Sequence, residues 1–213
     1  MNPTKTPARK AEVSKTSRRK RLVLLGAVTA LLILLVAWIA WGNTALEVSE
    51  FVVSSEKVPE SFSGYRIAQI SDLHNAQFGE DNAQLLELLE STHPDCIVLT
   101  GDLVDSRRTD VEVAVSFGEE AVKIAPVYYV SGNHEARIPE YEEVKAGLEK
   151  AGVTVLENQV VPLERSGQKI CLAGVSDPSF QTGFPSDEPE EVLRWELDQV
   201  SSETDGYWIL LSH

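Results

Sequence analysis

Two kinds of apolar pattern divide the chain. Residues 22–41 are apolar without a charged position. A segment apolar on every face reads as a fully lipid-exposed or buried helix, and twenty residues at about 1.5 Å each span roughly the 30 Å of a bilayer's hydrocarbon core. From Tyr65 onward the apolar residues fall into short β-branched runs, at 66–71, 96–100, 127–131, 153–156, 160–163, 170–175 and 207–212. Helical patterns lie between several of them, at 82–92, 110–124, 139–151 and 188–200. In the first, Leu85, Leu86, Leu88 and Leu89 make one helical face. The last opens behind Ser186 and Asp187, with Pro189 in its first turn.

Strand alternating with helix over 65–130 predicts βαβ units with parallel strands, hence an α/β fold. The closely spaced strands between 153 and 175 read as hairpin-type additions. Residues 42–63, with Leu46, Val48 and Phe51 to Val53 apolar and Pro59 and Gly64 as punctuation, read as a strand-rich connector. The expected organisation is therefore a basic head (1–21), a transmembrane segment (22–41), the connector (42–63) and one folded domain (64–213).

Charge sharpens this picture. The chain has 213 residues and a net charge of −14, but residues 1–21 carry eight Lys/Arg against one acid. The remainder is therefore strongly acidic, which disfavours a phosphate backbone as bulk partner, and no nucleic acid is expected. Arg18, Arg19, Lys20 and Arg21 stand immediately before the apolar segment, so the positive-inside rule keeps the N-terminus cytoplasmic and the domain extracytoplasmic. Trp38 and Trp41 suit the far interface. An uncleaved signal anchor is the default reading; a cleaved signal peptide, at Ala40-Trp41-Gly42, is the alternative. Cys96 and Cys171, each inside an apolar run, read as buried free thiols. The acids Asp187, Glu188, Glu190 and Glu191 read as a helix N-terminus favoured by the dipole.

Four apolar strands end on polar residues able to bind metal. They run into Asp72-Leu73-His74, Gly101-Asp102, Gly132-Asn133-His134-Glu135 and His213. In open α/β sheets such groups gather in the crevice at the carboxyl ends of the strands. The spacing agrees, with 30 residues from Asp72 to Asp102 and 31 from Asp102 to Asn133, each about one βαβ unit. Three of the four histidines belong to this set; the fourth, His93, reads as a surface residue. Carboxylate, carboxamide and imidazole without thiolate favour hard-to-borderline divalent ions such as Mn, Fe or Zn. A carboxylate can bridge two such ions, and a pair can clamp an in-line displacement at phosphorus.

Asp72-x-His74, Gly101-Asp102-x-x-Asp105 and Gly132-Asn133-His134-Glu135, in this order, resemble the calcineurin-like metallophosphoesterase family over about residues 65–213. Ile70-Ser71-Asp72-Leu73-His74 together with the membrane segment is similar to its bacterial membrane-associated branch. The resemblance implies a layered αββα sandwich and hydrolysis of phosphate esters at a binuclear site. It implies that Asp72 and His74 hold the first metal, that Asp102 bridges, and that Asn133 and His213 hold the second. His134 would stabilise the transition state or protonate the leaving oxygen, Asp105 would orient His134, and a metal-bridging hydroxide would be the nucleophile.

Two departures bear on this. Many family phosphatases have Arg-Gly after the Asp105 position, where this chain has Ser106-Arg107, which leans toward phosphodiesters or small phosphomonoesters. The family completes its site with Gly-His-x-His, and a chain that stops at His213 within an apolar strand reads as cut short, each metal lacking one histidine. The alternatives are therefore a non-catalytic metal-binding envelope scaffold or an inactive fragment. Arg107, Arg108 and Arg137 follow the motifs closely and are candidates to meet substrate phosphate, with solvated loop charges as the plainer reading. The short connector suggests a substrate near the bilayer, a lipid or cell-envelope phosphodiester.

Overall fold

A computed structural model describes residues 7–180, 189–204 and 206–213. Ser186, Asp187 and Glu188, expected at the opening of the last helix, lie outside the described residues. The chain divides into two compact units between Glu50 and Phe51. The first contains α1 (Pro7–Thr44), whose segment Lys20–Ile39 is long and apolar enough to cross a membrane, with a mean hydropathy of 2.9.

The second unit begins without a strand. The expected strand-rich connector instead holds no strand among its described residues, only a turn closed by the Val58 N–H on Ser55 O and a 3-10 turn at Glu60–Phe62. Phe51, Val52 and Val53 are exposed and no strand pairs with them among the described residues, so β-propensity there finds no ladder to join. Regular structure then runs β1 (Ile67–Ile70), α2 (Ala83–Ser91), β2 (Cys96–Thr100), α3 (Val111–Ala121), β3 (Val127–Val130), α4 (Tyr141–Ala151) and β4 (Thr154–Val155). It continues with β5 (Gln159–Arg165), β6 (Gln168–Gly174), α5 (Pro189–Glu203) and β7 (Trp208–Leu211).

The first sheet is parallel in the order β1-β2-β3-β4, each helix carrying the chain to the next strand. The second has the order β5-β6-β7, with β5 and β6 an antiparallel hairpin and β7 parallel to β6. Only β5 and β6 are thus the expected hairpin addition. β4 belongs to the parallel sheet, because α4 returns it alongside β3 as a crossover must.

Every residue of β2 is buried, as expected of a strand covered on both faces. Ile97 and Leu99 point into a core shared with Leu89, Ala114, Phe117, Val144 and Leu148 of the helices. Cys96 and Val98 point the other way, into a second core with Ile170, Leu172 and Leu211 of the other sheet. Ala173 and Val175 complete a third core with Val200 of α5. The layers are therefore helix, sheet, sheet, helix, an αββα sandwich. Both cysteines are buried and neither takes part in a disulfide.

Candidate metal centre

The carboxyl ends of β1, β2, β3 and β7 bring Asp72, His74, Asp102, Asn133, His134 and His213 to one place. Leu73, 4% exposed, anchors the first loop in the helical core, and the residues on either side of it face the site. The loop continues the parallel ladder past β1, with Asp72 N–H donating to Gly101 O, His74 N–H to Asp102 O and Asn75 N–H to Leu103 O. To do so Asp72, His74, Asn75 and Asp102 all take left-handed backbone conformations, at φ 57, 48, 58 and 53. Such strain in non-glycine residues persists where the surrounding structure over-determines it, commonly at functional sites.

Glycine is required beside Asp102 for reasons of space. A Cβ on Gly132 would lie 2.2 Å from Asp102 Oδ1, and one on Gly101 (φ 83) would lie 2.8 Å from the Gly132 backbone and 2.7 Å from His213 Nδ1. The glycines thus let the β2 and β3 loops touch.

Asp102, almost wholly buried, is the centre of the cluster. Its Oδ1 accepts the His134 N–H at 2.8 Å. Its Oδ2 lies 3.4 Å from His213 Nε2, 3.6 Å from His74 Nε2 and 4.0 Å from His134 Nε2. His74 Nε2 is also 3.6 Å from Asp72 Oδ1. These are long for hydrogen bonds, but two ligands about 2.1 Å from one ion stand roughly 3–3.5 Å apart. Two triads come near this spacing, His74-Asp102-His134 and Asp72-Asp102-His213, their ligand atoms all within 4.8 Å of one another and Asp102 common to both.

Two histidines are held as opposite tautomers by their backbone partners. His213 Nδ1 lies 2.8 Å from the Thr100 carbonyl, which only accepts, so Nδ1 carries the proton and Nε2 offers a lone pair to the cluster. His134 Nδ1 accepts the Ser106 N–H at 3.0 Å, so the proton of the neutral ring is on Nε2, the nitrogen facing the site. Asp105, expected to orient His134, has its carboxylate 3.7 Å from that Nδ1, beyond a hydrogen bond. The Asp105 carboxylate instead accepts the Arg107 N–H at 2.9 Å, which together with the nearby His134 and His74 holds its pKa below the ordinary value. Burial opposes the charged form of His213, but the Thr100 carbonyl and the carboxylates of Asp102, Asp72 and Asp177 outweigh it and raise its pKa.

The carboxamide of Asn133 sits between Asp102 and Arg137. With its nitrogen toward Asp102 it donates to Oδ2 at 3.1 Å, while its oxygen accepts from two Arg137 nitrogens at 2.9 and 3.0 Å. Turned over, it would set its oxygen against Asp102 Oδ2, which is favourable only with a cation between them. The donor set fits a divalent metal on two grounds: two carboxylates among three imidazoles, and one imidazole lone pair fixed inward.

Four groups carry weight here that sequence reasoning gave no role. Asn75 accepts the Asp105 N–H through Oδ1 at 2.6 Å and donates to Asp110 O, fixing the loop after Asp102. Ser106 acts through its backbone, which no sequence signal announces. Asp177, buried at the end of β6, adds negative charge near His213. Glu135, within the Gly-Asn-His-Glu block, is fully buried beneath the loops. Arg107 and Arg108 are exposed, whereas Arg137 reaches the site through Asn133.

The profile of the calcineurin-like phosphoesterase family matches residues 65–213. The chain belongs to the calcineurin-like phosphoesterase family. Members of this family hydrolyse phosphate esters in dependence on divalent metal ions. The chain is 30% identical over 137 residues to a Danio rerio transmembrane protein with metallophosphoesterase domain, covering 62% of this chain and 31% of that one. It is 30% identical over 118 residues to the Bacillus subtilis metallophosphoesterase YkoQ, covering 53% and 43%. It thus spans about a third to two fifths of these relatives' lengths. The fold matches that of the Thermus thermophilus protein TT1561 with a TM-score of 0.53 at 22% identity, covering 70% of this chain and 68% of that one.

Proposed function

We propose that this protein is a membrane-anchored, metal-dependent phosphoesterase with a binuclear centre. The observation that carries the reading is the convergence of three imidazole Nε2 atoms and the Asn133 carboxamide on one oxygen of the buried Asp102, at 3.1–4.0 Å. Asp72 and His74 would hold one divalent ion, Asn133 and His213 the other, and Asp102 both. Bound there, the ions supply Lewis-acid polarisation of the phosphoryl group and lower the pKa of water. The chain's own residues do the rest. Glycines at 101 and 132 let the β2 and β3 loops lie against each other so that their ligands share one crevice, and the Nε2–H of His134 would donate to a phosphoryl or leaving oxygen as charge develops there. Asp105, its carboxylate 3.7 Å from His134 Nδ1, would help to orient the ring. Arg137, once released from Asn133, offers a guanidinium fork to a phosphate oxygen.

The test is uptake of Mn²⁺ by the full chain in detergent, followed by hydrolysis of a chromogenic phosphodiester. Asp102→Asn should lose both uptake and turnover, and a chelator should abolish turnover in the unaltered protein. Chelator-resistant turnover would sink the proposal.

The apolar helix, and relatives named as transmembrane proteins, support membrane association. The basic residues before the apolar segment favour a cytoplasmic N-terminus and an extracytoplasmic domain. For the substrate we infer a phosphodiester or small phosphomonoester, with a lipid or cell-envelope diester favoured by the connector of roughly twenty residues. Equal rates on soluble and bilayer-embedded esters by the anchored enzyme would count against that last point.

A further inference from the structure

We propose that Glu135 is a positioning residue whose buried carboxylate clasps the two loops bearing Asp102 and Asn133 and so sets the spacing of these ligands. The inference rests on the reading of the cluster as a metal centre. Glu135 is 0% exposed and opens a single 3-10 turn at Glu135–Arg137, which sends its side chain back beneath its own loop. Oε2 accepts the Gly132 N–H at 2.7 Å and the Asp102 N–H at 2.9 Å. Oε1 accepts the Val104 N–H at 3.2 Å. One of these donors belongs to the β3 loop and two to the β2 loop, so a single carboxylate ties them together.

The donors need this acceptor. β2 ends at Thr100, and the left-handed turn at Gly101 and Asp102 takes the following N–H groups out of the sheet ladder. Buried backbone donors without a partner are rare because they forfeit their hydrogen bonds to water. An ionised carboxylate accepts only, and all three partners donate, so the match is specific to glutamate. A glutamine in the same place would set its NH₂ against at least one backbone N–H, at best that of Val104. An aspartate is one methylene too short to serve both loops.

The experiment titrates Mn²⁺ into the full chain in detergent, read by calorimetry and by the Mn²⁺ magnetic-resonance spectrum. Glu135→Gln should bind roughly 10–100-fold more weakly, with an altered spectrum, while its circular dichroism stays native. Val144→Ala, in the helical core away from the site, should lower the melting temperature yet keep the original affinity and spectrum. Unchanged affinity in Glu135→Gln would overturn the inference and leave the metal centre standing. Failure of the unaltered protein to bind Mn²⁺ would overturn the metal reading and this inference with it. Should Glu135→Gln not fold, amide exchange of the unaltered protein decides. The N–H groups of 102, 104 and 132 should exchange as slowly as those of β2, and fast exchange would overturn the clasp.

Discussion

His213 meets a carbonyl at Nδ1 and His134 meets an N–H there, and this difference in one backbone partner separates their chemistry. A ring protonated at Nδ1 presents a lone pair at Nε2, suited to a metal. A ring protonated at Nε2 presents a donor, suited to an oxygen gaining negative charge. The two roles predict different losses. His213→Ala, which takes away a proposed ligand, should weaken Mn²⁺ uptake along with turnover. His134→Ala should cut turnover by about 10²–10⁴-fold while Mn²⁺ uptake stays as before, because positioned proton donors contribute on that order. Loss of uptake in His134→Ala would instead make His134 a ligand, in keeping with the triad it forms with His74 and Asp102. These residues were legible from their types and spacing. The tautomers were not, since they depend on Thr100 O and the Ser106 N–H, main-chain atoms with no side-chain signature.

Among the elements, α3 and α4 each present a glycine to a side chain of the other. A Cβ on Gly118 would lie 2.7 Å from Leu148 Cδ2, and one on Gly147 would lie 2.4 Å from Val115 Cγ2. Replacing an interior helical glycine by alanine gains about 1 kcal/mol of helix propensity. Here that gain opposes an overpacking cost of about 1–3 kcal/mol, and Val115 cannot step aside easily because β-branched side chains hold one rotamer in a helix. Gly147→Ala should therefore lower the melting temperature by a few degrees, with Mn²⁺ uptake unchanged; a rise would show that the helices can part without cost. The strands and helices themselves were readable to within a few residues, because period-2 and period-3.6 patterns report which face is buried. The connector misled for a related reason. Apolar, β-branched chain at Phe51 to Val53 has strand propensity, but a strand exists only where another strand pairs with it.

For the molecule as a whole, local pattern determined a great deal. The uninterrupted apolar segment and the basic residues before it specify a helix able to cross a membrane, because no tertiary partner is needed to satisfy a helical backbone. The four strand ends bearing Asp72, Asp102, Asn133 and His213 specify a shared crevice, because parallel strands joined by helices must present their carboxyl ends together. What pattern could not determine was anything requiring two distant segments at once. That β4 joins the parallel sheet, that Asp102 Oδ2 is the point on which the imidazoles converge, and that Glu135 ties the β2 and β3 loops together follow only from packing. The physical reason is that burial periodicity is encoded residue by residue along the chain, whereas a contact between the β2 and β3 loops depends on the turns, glycines and left-handed residues of both.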